Sequence, residues 1–248
     1  MSRRIALVTG GTGGIGTAIC NSLNASGYSV VANYFPPEKD QAESWLAEQR
    51  KNNEFFYIAA ADVTDIDSCA EMISGIEKDL GPVDVLVNCA GITRDKTLKR
   101  MTAEQWNAVI NTNLNSAFNV TRQVIEGMLD RGFGRIINIS SVNGQRGQFG
   151  QANYSAAKAG LHGFTMAVAQ ETAAKGITVN TVSPGYVETA MTSAMPEDVL
   201  KAIIGGIPMG RMGKPEEIAD VVSWLAQEST AYVTGANIPV NGGLFISA

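Results

Sequence analysis

Cysteine, histidine and aromatic side chains are scarce in this sequence. It holds three cysteines and a single histidine, and only 7% of its 248 residues are Phe, Trp or Tyr. Cys20, Cys69 and Cys89 are odd in number, widely spaced and free of any CxxC pattern. That argues against a disulfide framework or a zinc site and fits reduced thiols in a cytoplasmic protein. The lone histidine, His162, has no second metal-ligand type beside it and reads as a packing residue; no metal is expected. Positive charge is also in short supply, with 19 Lys and Arg against 24 Asp and Glu and a formal net charge of -5. Bulk nucleic-acid binding needs a broad basic surface, so a nucleic-acid partner is not expected. No apolar run approaches the roughly 18 residues of a membrane-spanning helix, and no membrane partner is expected. The opening "MSRRIALVTGG" passes from two arginines into an apolar run too short for a signal-peptide core. The protein therefore reads as soluble, unexported and cytoplasmic.

What the sequence does have is enough apolar material, 45% of residues, for one sizeable core. Short β-branched runs recur: "RIALVTG", "YSVVANY", "FFYIAAADV", "VDVLVNCAG", "GRIINISS", "GITVNTVSPG" and "ANIPVNGG". Amphipathic stretches lie between them at 15–26, 40–52, 66–79, 103–128 and 152–175. Nearly continuous apolar strands alternating with helices predict an α/β fold whose parallel sheet is covered on both faces. Right-handed crossovers make that a doubly wound, Rossmann-type sheet. There is no internal repeat, low-complexity tract or linker, so 1–248 reads as a single domain. Only 188–214, rich in Met, Gly and Pro, breaks the pattern. It reads as a mobile excursion beyond a strand end, where a lid over a substrate would sit.

The first strand ends in "TGGTGGIG", with Thr9, Gly10, Gly14, Ile15 and Gly16 in a T-G-x-x-x-G-x-G spacing. Glycines there let the backbone turn tightly and approach a pyrophosphate at a helix N-terminus. Placed between the first strand and the first helix, the turn predicts a bound dinucleotide. The second strand runs into "NYFPPEKD", which puts Tyr34, Phe35 and Lys39 near the adenosine ribose. No Asp ends that strand and no Arg follows it. Glu38 and Asp40 would repel a 2′-phosphate while Lys39 would attract one, so the expected NAD(P)H cofactor leans slightly toward NADH. Asp62 and Val63 close the third strand, where a carboxylate can accept the adenine amino group. Asn88, Ala90 and Gly91 close the fourth and let the cofactor lie against the backbone.

Tyr154 and Lys158, in "NYSAAKAG", share one helix face a single turn apart. A free phenol, with a pKa near 10, is a poor proton shuttle at neutral pH, and an adjacent cation lowers it. Lys158 is placed to do so. Ser141, at the end of "GRIINISS", can hydrogen-bond a carbonyl oxygen, and Asn113, in "VINTNLNSAF", can hold a water linking Lys158 to solvent. Together they supply carbonyl polarisation, an acid and a proton relay. Arg94 and Lys99, with Lys96 and Arg100, form a basic stretch that can meet the phosphates of an anionic carrier. Gln148, Phe149, Gln151 and Tyr186 can line a short acyl pocket beside Ser141 and Tyr154.

In the order TGxxxGxG, N-C-A-G, Asn113, Ser141 and Y-x-x-x-K, the chain resembles the short-chain dehydrogenase/reductase family over essentially its whole length. N-C-A-G stands where the family usually has N-N-A-G, so Cys89 is a mild departure. "SPGYVET" resembles the family's P-G segment, which implies cofactor contacts from Pro184, Gly185, Val187 and Thr189, the last to the nicotinamide carboxamide. "GKPEEIA" and "YVTGANIPVNGG" match the family's closing part, and its members are commonly homotetramers. The resemblance implies that Tyr154 donates a proton as hydride arrives from the nicotinamide. It also implies that Lys158 holds the nicotinamide ribose, Ser141 orients the carbonyl and Asn113 completes the relay. Within the family, "NCAGITRD", "SSVNGQRGQFGQANYSAAKAGLHGFTMAVAQE" and "GKPEEIA" are similar to the β-ketoacyl thioester reductases. That likeness implies an acyl-CoA substrate, acetoacetyl-CoA reduced to (R)-3-hydroxybutyryl-CoA for polyhydroxybutyrate synthesis. The alternative is a 3-oxoacyl carrier-protein thioester of fatty-acid synthesis; a non-catalytic dinucleotide-binding module is more distant.

Overall fold

All seven expected apolar runs become strands of one sheet in the computed structural model, which describes residues 3–51, 53, 55–189, 192 and 196–246. The strands are β1 (Ile5–Val8), β2 (Ser29–Tyr34), β3 (Phe56–Ala60), β4 (Val83–Asn88), β5 (Gly134–Ile139), β6 (Ile177–Pro184) and β7 (Asn237–Val240). Their order is β3-β2-β1-β4-β5-β6-β7, and every pairing is parallel. The helices are α1 (Gly14–Ala25), α2 (Lys39–Arg50), α3 (Ile66–Asp79), α4 (Ala103–Ile110), α5 (Ser116–Arg131), α6 (Val142–Arg146), α7 (Ala152–Thr172), α8 (Glu197–Gly205) and α9 (Pro215–Ala226).

Alternation along each strand decides which layer it feeds. Ala6 and Val8 of β1 join a core with Ile19 and Leu23 of α1 and Ile218, Val222 and Leu225 of α9. Ile5 and Leu7, pointing the other way, join Met72, Ile73 and Ile76 of α3 and Val120, Val124 and Met128 of α5. Each such fully buried aliphatic side chain contributes about 1.5–3 kcal/mol by leaving water, so both faces are held firmly. Val8 of β1 pairs with Ala32 of β2 on one side and Val87 of β4 on the other. The strand order reverses there, and a crevice opens at the carboxyl ends of β1 and β4.

The stretch expected as one helix over 103–128 is two helices joined by a wide π turn, Asn111–Asn115. A capping box between Thr102 and Gln105 starts α4, and Gly132, with φ 65°, ends α5 in a left-handed turn. Of the expected lid, residues 190, 191 and 193–195 lie outside the described residues. The described part is pinned at its root. Val187 and Gly213 exchange backbone bonds through their neighbours, and the Met209 N–H donates to the Gly242 carbonyl. Among the described residues no helix is long and apolar enough to cross a membrane.

Candidate active site

The turn between β1 and α1 is a cradle that side chains would fill. A Cβ on Gly16 would lie 2.2 Å from the Gly10 carbonyl oxygen, and one on Gly10, whose φ is +61°, would lie 3.0 Å from the Ala90 Cα. A Cβ on Gly14 would lie 3.3 Å from the Thr189 methyl across the crevice. α1 begins at Gly13 with no side-chain cap and no acidic residue in its first turn. Its leading N–H groups and positive dipole end are thus left for an anion, and the bare backbone lets a pyrophosphate approach. These residues fit the dinucleotide that the turn predicts.

Around the cradle, buried polar groups join strand ends to one another. Thr9 Oγ1 accepts from the N–H groups of Cys89 and Ala90 at 3.0 and 3.1 Å, tying β1 to the N-C-A-G turn. Asn33 Oδ1 accepts weakly from the Gly10 N–H at 3.4 Å, and its amide donates to the carbonyls of Tyr34, Ala59 and Ala61. Tyr34 is buried, Phe35 is half-exposed and Lys39 reaches solvent, 3.6 Å from Glu43. Asp62 Oδ1 accepts from the N–H and hydroxyl of Thr64, and the carbonyl of buried Val63 accepts from Asn119. Pro184 ends β6. Gly185 donates to the Val240 carbonyl, and the Thr189 N–H donates to Thr192.

α7, α6 and the π turn bring the four expected catalytic residues together. Ser141 caps α6, its Oγ accepting from the Asn143 N–H at 3.1 Å. Its hydroxyl acts on the phenol of Tyr154, favouring the phenolate. Asn113 is buried, and its side-chain amide takes both backbone groups of Ile92: Oδ1 accepts at 2.9 Å and Nδ2 donates at 2.8 Å. Gly91 passes so close that a Cβ would lie 2.5 Å from Asn113 Oδ1 and 3.6 Å from Lys158 Nζ. Asn113, Gly91 and Lys158 therefore meet at one point.

The electrostatics depart from expectation. Lys158, 4% exposed, donates from Nζ to the Ile139 carbonyl at 2.7 Å, and Nζ lies 5.7 Å from the centroid of the Tyr154 ring. Burial pushes its ammonium down to about 8, opposed by the neighbouring Cys89. Burial likewise raises the Tyr154 phenol above its ordinary range, opposed by the Ser141 hydroxyl and reinforced by Cys89 and Asp95. The lysine was expected to lower the phenol; burial instead leaves the phenol raised, with Nζ donating to the Ile139 carbonyl of β5. A raised phenol stays protonated at neutral pH, which is the state a proton donor needs. Cys89, at the family departure, is itself pushed up to about 11 by burial, opposed by Lys158.

The expected substrate residues divide. Gln151 is engaged at both ends, accepting from Asn143 Nδ2 at 2.9 Å and donating to Asp95 at 2.8 Å. Gln148 is exposed, and Phe149 is 86% exposed. Arg94 donates to the carbonyl of its neighbour Thr93, and Lys99 and Arg100 end an exposed turn at Leu98–Arg100. Tyr186 borders a cavity of about 90 Å³ with Ile207, Met209 and Val240, at the root of the 188–214 segment. His162 is a packing residue, within 3.3 Å of Ser183 Oγ.

Two features went unread in the sequence. Ser140 donates to the main-chain carbonyl of Lys158 at 2.7 Å. Asn88, Asn138, Thr165 and Thr181 form a buried chain of side-chain hydrogen bonds beneath the site. Asparagine inside two apolar strands, "LVN" and "IIN", was the available signal for the second, since a buried amide needs partners.

The fold and the Ser141–Tyr154–Lys158 arrangement define a nicotinamide-dependent oxidoreductase. Residues 4–200 match the short chain dehydrogenase family model, and the chain belongs to that family. It is 65% identical to the acetoacetyl-CoA reductase of Allochromatium vinosum, across 98% of this chain and 99% of that one. It is 56% identical to the acetoacetyl-CoA reductase of Cupriavidus necator, again across 98% and 99%. The 3-oxoacyl-acyl-carrier-protein reductase of Pseudomonas aeruginosa is 45% identical, with 98% of each chain covered.

Proposed function

We propose that this protein reduces acetoacetyl-CoA to (R)-3-hydroxybutyryl-CoA, feeding polyhydroxybutyrate synthesis. The observation that carries this reading is the convergence of Lys158, Tyr154 and Asn113, with Nζ 5.7 Å from the Tyr154 ring and beside Gly91 and Asn113, in a crevice walled by an uncapped helix N-terminus. Gly10–Gly16, Asp62, Val63, Asn88–Gly91 and Gly185–Thr189 would hold the dinucleotide, with Tyr154 and Lys158 at its reacting end. The bound cofactor supplies the hydride. Ser141 orients the ketone oxygen, and Tyr154 transfers its phenolic proton to that oxygen as negative charge develops there. The Lys158 ammonium stabilises the resulting phenolate, and Asn113 keeps the proton path open at its side. Names and identities of the relatives support acetoacetyl-CoA over a carrier-protein thioester. Arg94, Lys99 and Arg100, all exposed, are free to meet the phosphates of CoA.

NADH is the favoured cofactor in this reading. Lys39 is drawn to Glu43, and Glu38 and Asp40 flank it. In this reading the 188–214 segment, placed after a strand end, acts as a lid, the free thiols suit a cytoplasmic protein, and the family resemblance implies a homotetramer. Initial rates with acetoacetyl-CoA, measured with NADH and NADPH in parallel, test the proposal. Fast turnover is expected, with the larger kcat/KM for NADH. Turnover of acetoacetyl carrier protein alone would move the protein to fatty-acid synthesis.

A further inference from the structure

Ser140 is 3% exposed and precedes Ser141, yet the proton transfer does not use it. Its hydroxyl donates to the main-chain carbonyl of Lys158 at 2.7 Å, while its N–H donates to the Val182 carbonyl of β6 at 2.8 Å. Lys158 sits inside α7, where a helix carbonyl already accepts the regular bond from four residues on. The second bond is therefore not needed to satisfy a buried acceptor. What it adds is position.

The surroundings give that bond its meaning. Lys158 is gripped twice by one strand exit: its Nζ by the carbonyl of Ile139, and its main chain by the side chain of Ser140. On the other side, a Cβ on Gly144 would lie 2.8 Å from the Lys158 carbonyl carbon, so α6 and α7 touch backbone to backbone at this residue. Two turns further along α7, Thr165 is bonded to Asn138 of β5 and Thr181 of β6 at 2.8 Å each. These contacts leave α7 little freedom to slide or roll on the sheet. A slide of about one ångström would take Nζ off the Ile139 carbonyl and displace the phenol carried on the same helix, and misplacement on that scale can cost about a hundredfold in rate.

We propose that Ser140 is a positioning residue for the reduction, its hydroxyl fixing the seat of α7 on β5 so that Lys158 and Tyr154 meet their partners. The inference rests on the reading of Tyr154 and Lys158 as the proton-transfer pair.

Ser140→Ala tests it, with Thr172→Val as a control. Thr172 also gives its hydroxyl to an α7 carbonyl, that of Val168 at 2.7 Å, but from within the helix at its far end, so the bond holds no seat on the sheet. Ser140→Ala should lower kcat for acetoacetyl-CoA by roughly 10- to 100-fold, with KM within about twofold. It should also move the alkaline limb of the kcat profile to lower pH, because the Ile139 carbonyl favours the charged form of the lysine and that bond is loosened. The titratable groups facing the lysine and phenol are Cys89 from the end of β4 and Asp95 from the following loop. Neither is altered by the substitution. Thr172→Val should leave kcat and the limb where they were.

An Ser140→Ala enzyme with wild-type kcat and an unmoved limb overturns the proposal, as does an equal kcat loss in Thr172→Val. If Ser140→Ala does not fold, Ser140→Cys keeps the size and a weak donor. An intermediate kcat with a shifted limb then supports the proposal, and an unmoved limb overturns it. A wild-type enzyme inactive on every 3-ketoacyl thioester would instead defeat the functional reading.

Discussion

The ammonium of Lys158 donates to the carbonyl oxygen of Ile139 at 2.7 Å, while the ring of Tyr154 stands 5.7 Å from the same nitrogen. On the proposed mechanism this lysine sets the alkaline side of activity. Its ammonium is held down to about 8, and the phenol is held above its ordinary range. The reduction rate should therefore fall as pH rises through about 8, by about tenfold per further unit, while Tyr154 remains protonated. A kcat profile from pH 6 to 10 checks this. A plateau extending to pH 10 would contradict it.

The same burial acts on stability with a definite sign. A lysine of pKa about 8 when folded and 10.5 when unfolded binds more protons in the unfolded state between those values, so its contribution rises with pH across that window. Below pH 8 the charge costs stability. Lys158→Met should thus abolish turnover without lowering the urea midpoint at pH 7, and any gain at pH 7 should vanish by about pH 10.5. A lower midpoint at pH 7 would mean that the bond to Ile139 outweighs desolvation.

Tyr154→Phe removes the acid and leaves the ring. Loss of a positioned acid costs about 10²–10⁴ in rate, so kcat should fall by at least a hundredfold with dinucleotide affinity unchanged. Turnover and cofactor fluorescence titration measure the two separately. Near-normal turnover would remove Tyr154 from its role.

Gly16→Ala should act on cofactor binding before chemistry. The new methyl meets the Gly10 carbonyl oxygen at 2.2 Å, backbone that cannot step aside without opening the turn. Dinucleotide Kd should rise at least about tenfold, a loss of about 1.4 kcal/mol. An unchanged Kd would show that the turn does not hold the pyrophosphate.

Much of this was legible because local rules and tertiary structure agree. "RIALVTG" and "VDVLVNCAG" are apolar on both faces, as strands covered by helices must be, and they became the adjacent β1 and β4 at the switch point. Tyr154 and Lys158 were legible as a pair because helical spacing alone puts them on one face. Where the lysine points was not legible, since Ile139 lies in a different strand and only packing brings its carbonyl to Nζ. Asn113 was identified as a relay member, but its grip on both backbone groups of Ile92 comes from the chain passing back over it. Gln151 depends on packing in the same way: its place before α7 suggested a pocket-lining side chain, and its partners Asn143 and Asp95 come from two other segments.

The wide turn at Asn111–Asn115 keeps two rotational frames in step. Five regular helical turns take about 18 residues, but Val109 and Met128, both core-facing, are 19 apart with one inward residue per turn between them: Asn113, Ala117, Val120 and Val124. In an unbroken α-helix that surplus residue would roll the later positions by about 100°, turning Met128 off the sheet or Asn113 away from Ile92. The π turn absorbs the surplus. Length, as well as identity, is therefore a functional property of this stretch: one further residue inserted here, beyond the one the π turn absorbs, would leave every side chain present and force a choice between Met128 on the sheet and Asn113 over Ile92.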